Sequence, residues 1–108
     1  MKRGDLITVA IQGDYGKPRP ALVVQSDVFA GHTSICILPL TSDLHEAPLF
    51  RILLTPSSSN GLTKKSQVMV DKIMTIPIAK AGEVIGSLDY TAMLEIDRSM
   101  ALFLGIAK

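Results

Sequence analysis

Cysteine is almost missing from this chain. Cys36 is the single one in 108 residues, which excludes an intrachain disulfide framework. Its surroundings, Ile35-Cys36-Ile37-Leu38, read as a small buried hydrophobe rather than an activated thiol. Histidine is scarce too: His32 and His45 fall in different loops, without cysteines or carboxylates at metal-ligand spacing, so no metal site is expected. Tryptophan is absent and aromatics make up 5% of the chain, which leaves few platforms for stacking. No apolar run approaches the roughly 20 residues a membrane-spanning helix needs. After Met1-Lys2-Arg3-Gly4-Asp5 the sequence alternates like a strand instead of forming a signal-peptide core, so a cytoplasmic location is expected. Charge of one sign is lacking as well. The net charge of +1 argues against broad coating of a polyanion and leaves only a local basic patch open.

Catalytic signatures are equally sparse. Gly13-x-x-Gly16-Lys17 is too short for a nucleotide-binding phosphate loop, and it opens a strand rather than a helix. No serine-centred nucleophile elbow is present. Hydrolysis through a metal or a covalent serine therefore lacks support, and no cofactor is expected.

What the chain does have is apolar residues in short alternating runs. Hydrophobic residues make up 47% and mean hydropathy is +0.34. A single domain over residues 1–108 buries roughly two-thirds of its unfolded surface, so a homodimer is a natural way to hide the remainder. Strands are predicted at Leu6 to Gln12, Ala21 to Gln25, Ser34 to Leu40 with an interruption at Pro39, and Phe50 to Thr55. Others follow at Gln67 to Asp71, Ile73 to Ile78 and Glu83 to Leu88. The second is apolar on both faces and reads as central. Ser26 to His32 suggests a helical turn stopped by Gly31, and Asn60-Gly61 is a strong turn signal. Asp89 can cap a helix in which Met93, Ile96, Met100, Phe103 or Leu104, and Ala107 recur at helical spacing. Tyr90, beside that cap, is expected in the core. The reading is a mainly β fold, a small barrel with one C-terminal amphipathic helix.

The most informative stretch runs from Gly13 to Gln25. Its glycine-rich loop carries Asp14, Lys17 and Arg19 straight into a strand of Ala, Leu and Val. Pro18 and Pro20 fix their own φ and push their predecessors toward extended geometry. Arg19 is thereby braced, and a fixed guanidinium suits recognition of an oxyanion such as phosphate. Other polar residues stand at strand ends: Thr41 and Ser42 after the third, Asp71 and Lys72 closing the fifth. Antiparallel pairing of strands two and three would bring Arg19 and Thr41 to one rim. Spacing alone leaves a structural role for each of these residues as open as a catalytic one.

At this point the chain resembles the PemK/MazF (Kid/ChpB-like) toxins of type II toxin–antitoxin systems. The resemblance rests on Arg3-Gly4-Asp5, Lys17-Pro18-Arg19-Pro20, Leu38-Pro39-Leu40-Thr41-Ser42 and Asp71-Lys72-Ile73-x-Thr75-Ile76, in that order. It implies an SH3-like barrel, a homodimer, and sequence-selective cleavage of single-stranded RNA without metal. It also implies a cognate antitoxin whose C-terminal segment covers the RNA groove. The family's catalytic arginine and threonine correspond to Arg19 and Thr41, and an acidic residue found in some members corresponds to Asp14. Lys72 stands where glutamine is usual, and Met74 where arginine is usual. Met69 takes the place of a further arginine found in some members. A mechanism that relies on those arginines does not transfer.

RNA cleavage of this kind uses the substrate's own 2′-hydroxyl and leaves a 2′,3′-cyclic phosphate. Arg19 fits electrostatic stabilisation of the phosphate, because its high pKa makes it a poor base. Thr41 can donate to a non-bridging oxygen. Asp14 is the available carboxylate base, or else a turn former that holds Arg19. Asp71 reads either as a groove residue or as a carboxylate fixing loop backbone at the barrel rim. Lys17, Lys64, Lys65, Lys72 and Ser42 are candidate RNA contacts, and Tyr15 could stack on an unpaired base. Two other functions fit the same fold. One is a CcdB-like gyrase-binding toxin, and the other is a decayed toxin that retains only antitoxin binding.

Overall fold

A computed structural model describes residues 1–10 and 17–107. Seven antiparallel strands run in the order β4-β5-β3-β2-β1-β7, with β6 also paired to β3. They are β1 (Asp5–Val9), β2 (Arg19–Val23), β3 (Ser34–Thr41), β4 (Arg51–Leu54), β5 (Ser66–Met69), β6 (Met74–Pro77) and β7 (Ala81–Ser87), followed by helix α1 (Tyr90–Phe103). Of the first expected strand, Ile11 and Gln12 lie outside the described residues.

Alternation at period two explains why β1, β2 and β3 are central. One face contributes Leu6, Leu22 and Leu38 to a core completed by Val68 and by Ile96 of α1. The other contributes Ile7, Val9, Ala21, Val23 and Ile37 to a second cluster with Ile76. Pro39 does not interrupt β3. It falls between Ile37, the last residue paired with β6, and Leu40, the first paired with β5. The strand changes partner there, so the missing N–H comes where one edge is handed from β6 to β5.

The two ends of the sheet meet through the turn between β4 and β5. Ser87 N–H donates to Ser59 O (2.9 Å), which closes the sheet into a barrel. The approach is close enough to demand glycine on both sides. A Cβ on Gly61 would lie 2.0 Å from Ile85 O, and one on Gly86 would lie 2.3 Å from the Asn60 carbonyl carbon. Gly61 also has φ +71°, in the left-handed region. Asn60, only 5% exposed, organises the turn. Its Oδ1 accepts from Ser57 N–H and Leu62 N–H (both 3.0 Å), while Nδ2 donates to Thr55 O (2.9 Å).

Helix α1 starts at the expected cap, where Asp89 accepts from Ala92 N–H (2.8 Å). It ends earlier than the spacing suggested. Gly105 at φ +76° donates to Leu102 O, and Ile106 N–H reaches Ala101 O. This pair of bonds is a Schellman stop, so Ala107 is not helical and Phe103 and Leu104 remain about half exposed. Tyr90 is 81% exposed, which corrects the core reading: its position on the first turn faces away from the sheet. Arg3 locks the helix to the barrel, donating from Nη2 to Asp97 Oδ1 (2.6 Å) and from Nε to Val24 O (2.9 Å). The Arg3-Gly4-Asp5 motif is thus architectural. Cys36 is half-buried against the main core. Burial pushes its thiol pKa up, partly offset by a hydrogen bond with Thr75, which fits the inert reading.

Candidate active site

The register between β2 and β3 decides the site. Ala21 pairs with Pro39, Leu22 with Leu38 and Val23 with Ile37. Carried two residues further, that register sets Arg19, the first residue of β2, opposite Thr41, the last of β3. Residues directly opposite on paired strands share a face, so both lie on one face. Arg19 is exposed and Thr41 half-buried.

Two adjoining cavities flank this pair. The first, about 290 Å³, lies toward the Asn60-Gly61 turn and has Leu62, Thr63 and Lys64 on its far side. The second, about 470 Å³, has Met69, Lys72 and Met74 on its far side. Arg19, Leu40, Thr41 and Ser42 belong to both. They form the partition between the two, with cations at its centre and on either flank. Such a trough, with a donor ridge between two recesses, matches a phosphodiester with a nucleotide on each side.

The polar groups beside the ridge are fixed by local bonds. Thr41 Oγ1 accepts from Asp43 N–H (3.0 Å), which occupies a lone pair and leaves the hydroxyl proton to point elsewhere. Gln67, 7% exposed, clamps the loop beyond: its Oε1 accepts from His45 N–H (2.9 Å) and its Nε2 donates to His45 O (2.6 Å). His45 Nε2 in turn lies 3.2 Å from Asp43 Oδ2. His32 and His45 are exposed loop residues, as expected. Among the described residues no cluster of three or more His, Cys, Asp or Glu could hold a metal.

The structure brings together Arg19, Thr41, Ser42, Lys64 and Lys72. Lys17 is exposed and lies outside both linings, although its neighbour Pro18 lines the first cavity. Asp14 and Tyr15 lie outside the described residues. Asp71 belongs elsewhere. Asp71 and Lys72 do not close β5 but sit in a 3-10 turn, Val70–Lys72. The Asp71 carboxylate receives Arg51 Nε at 2.9 Å and Nη2 at 3.3 Å. Both its oxygens are engaged by a guanidinium, and it lines neither cavity, which favours the rim reading of Asp71 over the groove reading. The turn explains the split, because one step along it turns Asp71 inward and Lys72 outward. Sequence reading did not find Asp43, Gln67 or Arg51. Nothing in their local pattern marks them, since each depends on a partner about 20 residues away or on the loop's path.

Comparison with known proteins identifies the family. Residues 2–104 match the family described as "PemK-like, MazF-like toxin of type II toxin-antitoxin system". This chain belongs to that family. A relative from Mycolicibacterium smegmatis, named "Probable endoribonuclease MazF", is 42% identical over 108 residues, covering 99% of each chain. Two solved structures share the fold of this MazF-like chain. The toxin MazF-mt6 of Mycobacterium tuberculosis aligns over 96% of this chain and 99% of its own, with TM-score 0.82 and 21% identity. A MazE–MazF structure from Deinococcus radiodurans covers 99% and 97%, with TM-score 0.81 and 21% identity. The SH3-like barrel with one C-terminal helix is therefore the fold of this MazF-like toxin. Among the described residues no helix is long and apolar enough to cross a membrane.

Proposed function

We propose that this MazF-like protein is the toxin of a type II toxin–antitoxin module and cleaves single-stranded RNA at the Arg19–Thr41 ridge. The observation that carries the reading is the β2–β3 register, which sets a guanidinium opposite a hydroxyl on a partition between two cavities. The scissile phosphate sits on that ridge. Arg19 offers paired donors to its non-bridging oxygens, where negative charge accumulates as the 2′-oxygen attacks phosphorus. Thr41 donates its hydroxyl proton to a non-bridging oxygen while Asp43 N–H holds its lone pair. The 2′-hydroxyl proton passes to the base, the P–O5′ bond breaks, a 2′,3′-cyclic phosphate forms, and the 5′-oxygen takes a proton from water and leaves as a hydroxyl. Ser42 lines both recesses beside the ridge, and Lys64, on one side of it, is placed to meet a flanking phosphate, while Lys72 lies on the other side. Asp14 is assigned the base, and Tyr15 and Lys17 the approach of the strand, from their place before Arg19 in sequence.

The partners follow from the family: a cognate antitoxin whose C-terminal segment covers the groove, and a second copy of the chain in a homodimer. The substrate, messenger RNA, places the protein in the cytoplasm.

The test is cleavage of single-stranded RNA by purified protein in EDTA, beside Arg19→Ala and a substrate with a 2′-deoxy sugar at the scissile position. Wild type cuts, the variant loses at least about 10²-fold for one lost electrostatic donor, and the deoxy sugar blocks the reaction. A magnesium requirement, or cutting of the deoxy substrate, refutes the mechanism. Gyrase-dependent DNA breaks without RNA cutting would establish a CcdB-like toxin, and antitoxin binding alone a decayed one.

A further inference from the structure

We propose that the larger cavity is a reading pocket for one unpaired base beside the scissile phosphate, and that it selects guanine. The inference rests on the RNA-cleaving reading above and names what the site prefers.

Its volume, about 470 Å³, accommodates a purine. Its walls are of two kinds. Met69, Met74 and Pro39 supply apolar surface, and the two thioethers are polarizable and adapt to a flat ring. Lys72 and Asp43 supply the polar edge. A carboxylate in a groove that binds phosphates weakens affinity for the backbone, since every phosphate repels it. Apart from work on a 2′-hydroxyl, its use there is to accept from N–H groups, and in RNA those belong to the bases.

Asp43 accepts only, and Lys72 donates only. A base that satisfies both must offer adjacent N–H donors and a separate acceptor. Guanine presents N1–H and N2–H₂ side by side for the two carboxylate oxygens, with O6 and N7 for the ammonium. Cytosine has one exocyclic amino group for the carboxylate and none beside it. Adenine has no carbonyl, and uracil has no amino group. Guanine alone meets the pair fully.

The pocket is also indexed to the reaction. The Thr41 hydroxyl, on the ridge, accepts the Asp43 N–H at 3.0 Å, so the Asp43 backbone stands at a fixed offset from the phosphate grip. His45, whose backbone the buried Gln67 holds, brings its imidazole within 3.2 Å of the Asp43 carboxylate. The Asp43 side chain is 85% exposed, which leaves it accessible to an entering base.

The experiment first locates cleavage sites in a random single-stranded RNA pool by sequencing the product ends. Oligonucleotides then vary each flanking position through the four bases, with inosine added because it lacks only the N2 amino group. Wild type is expected to require guanine at one flanking position and to lose about 10-fold or more with inosine, the scale of a good bidentate base contact. Asp43→Asn should lose a similar factor on guanine while its activity on adenine holds or rises, with unchanged melting as the check on folding. Glu46→Gln, the same charge change in the same loop but outside the cavity, should leave the preference intact. Equal cutting of guanine and inosine, or a guanine preference that survives Asp43→Asn, overturns the pocket while the nuclease stands. If wild type cuts no RNA at all, the underlying reading fails instead.

Discussion

Replacing Asn60 by alanine removes three hydrogen bonds at once, but the three sites are not equal. Thr55 and Ser57 are exposed, so water takes over their backbone groups and each lost bond costs about 1 kcal/mol or less. Leu62 is 8% exposed. Its N–H, bonded to Asn60 Oδ1 at 3.0 Å, is left without a partner, at about 1–3 kcal/mol. The total is about 2–4 kcal/mol, a large share of the roughly 5–15 kcal/mol that holds a domain of this size together. In urea the unfolding midpoint should fall accordingly with an unchanged slope. Melting should drop by roughly 8–30 °C, at about 4–8 °C per kcal/mol for a domain near 100 residues. Asn60→Asp keeps both acceptor bonds but buries a carboxylate and sets its oxygen against Thr55 O, so it too should destabilise. Because Leu62 lines the first cavity, the alanine variant should also cleave RNA more slowly under conditions where it is fully folded. A midpoint within about 0.5 kcal/mol of wild type, the spread of ordinary surface substitutions, would refute the hydrogen-bond accounting.

Asp71→Ala strips Arg51 of a two-point partner while its side chain is only 13% exposed. It should cost about 2 kcal/mol, as hydrogen bonds to charged groups do, measured by chemical denaturation. RNA cleavage by the folded variant should be unchanged, and a selective loss of activity would return Asp71 to the groove. For Cys36, burial raises the folded thiol pKa above its ordinary value of 9.0, so the unfolded chain ionises first. Between the two values the folded state holds more protons, and stability therefore falls as pH rises through that window and is level below it. Cys36→Ser should flatten that part of a stability–pH profile, and a thiol reagent at neutral pH should label the native protein far more slowly than the unfolded one.

Much of the fold was legible because it is written locally. Short apolar runs marked β1 to β3, apolar residues on both faces marked β2 as central, Asn60-Gly61 marked the turn, and Asp89 marked the helix start. Pro39 misled, since a missing N–H ends a strand only where that edge needs a donor, and β3 changes partner there. The helix end and Tyr90 misled for a related reason: hydrophobic spacing does not say how far the neighbouring sheet extends beneath a helix. In the site, Arg19 and Thr41 were legible from strand ends plus antiparallel pairing, and the family motifs named the same two residues. Between the two readings of Asp71 the sequence did not choose, because a 3-10 turn in place of a strand end rotates it toward Arg51, a partner 20 residues back. Asp43 passed unnoticed because its value lies in a cavity assembled from β3, β5 and β6 together.

By itself, the order of residues determined the local vocabulary: which segments extend, where glycine and proline punctuate them, and that a braced arginine opens the second strand. Those properties depend on backbone sterics and on neighbours within a turn or two. Register and closure were decided only by the folded chain. A shift of one residue between β2 and β3 would leave every strand in place yet turn Arg19 away from Thr41. What prevents it is the simultaneous burial of both faces, with Leu22 and Leu38 in one cluster and Val23 and Ile37 in the other.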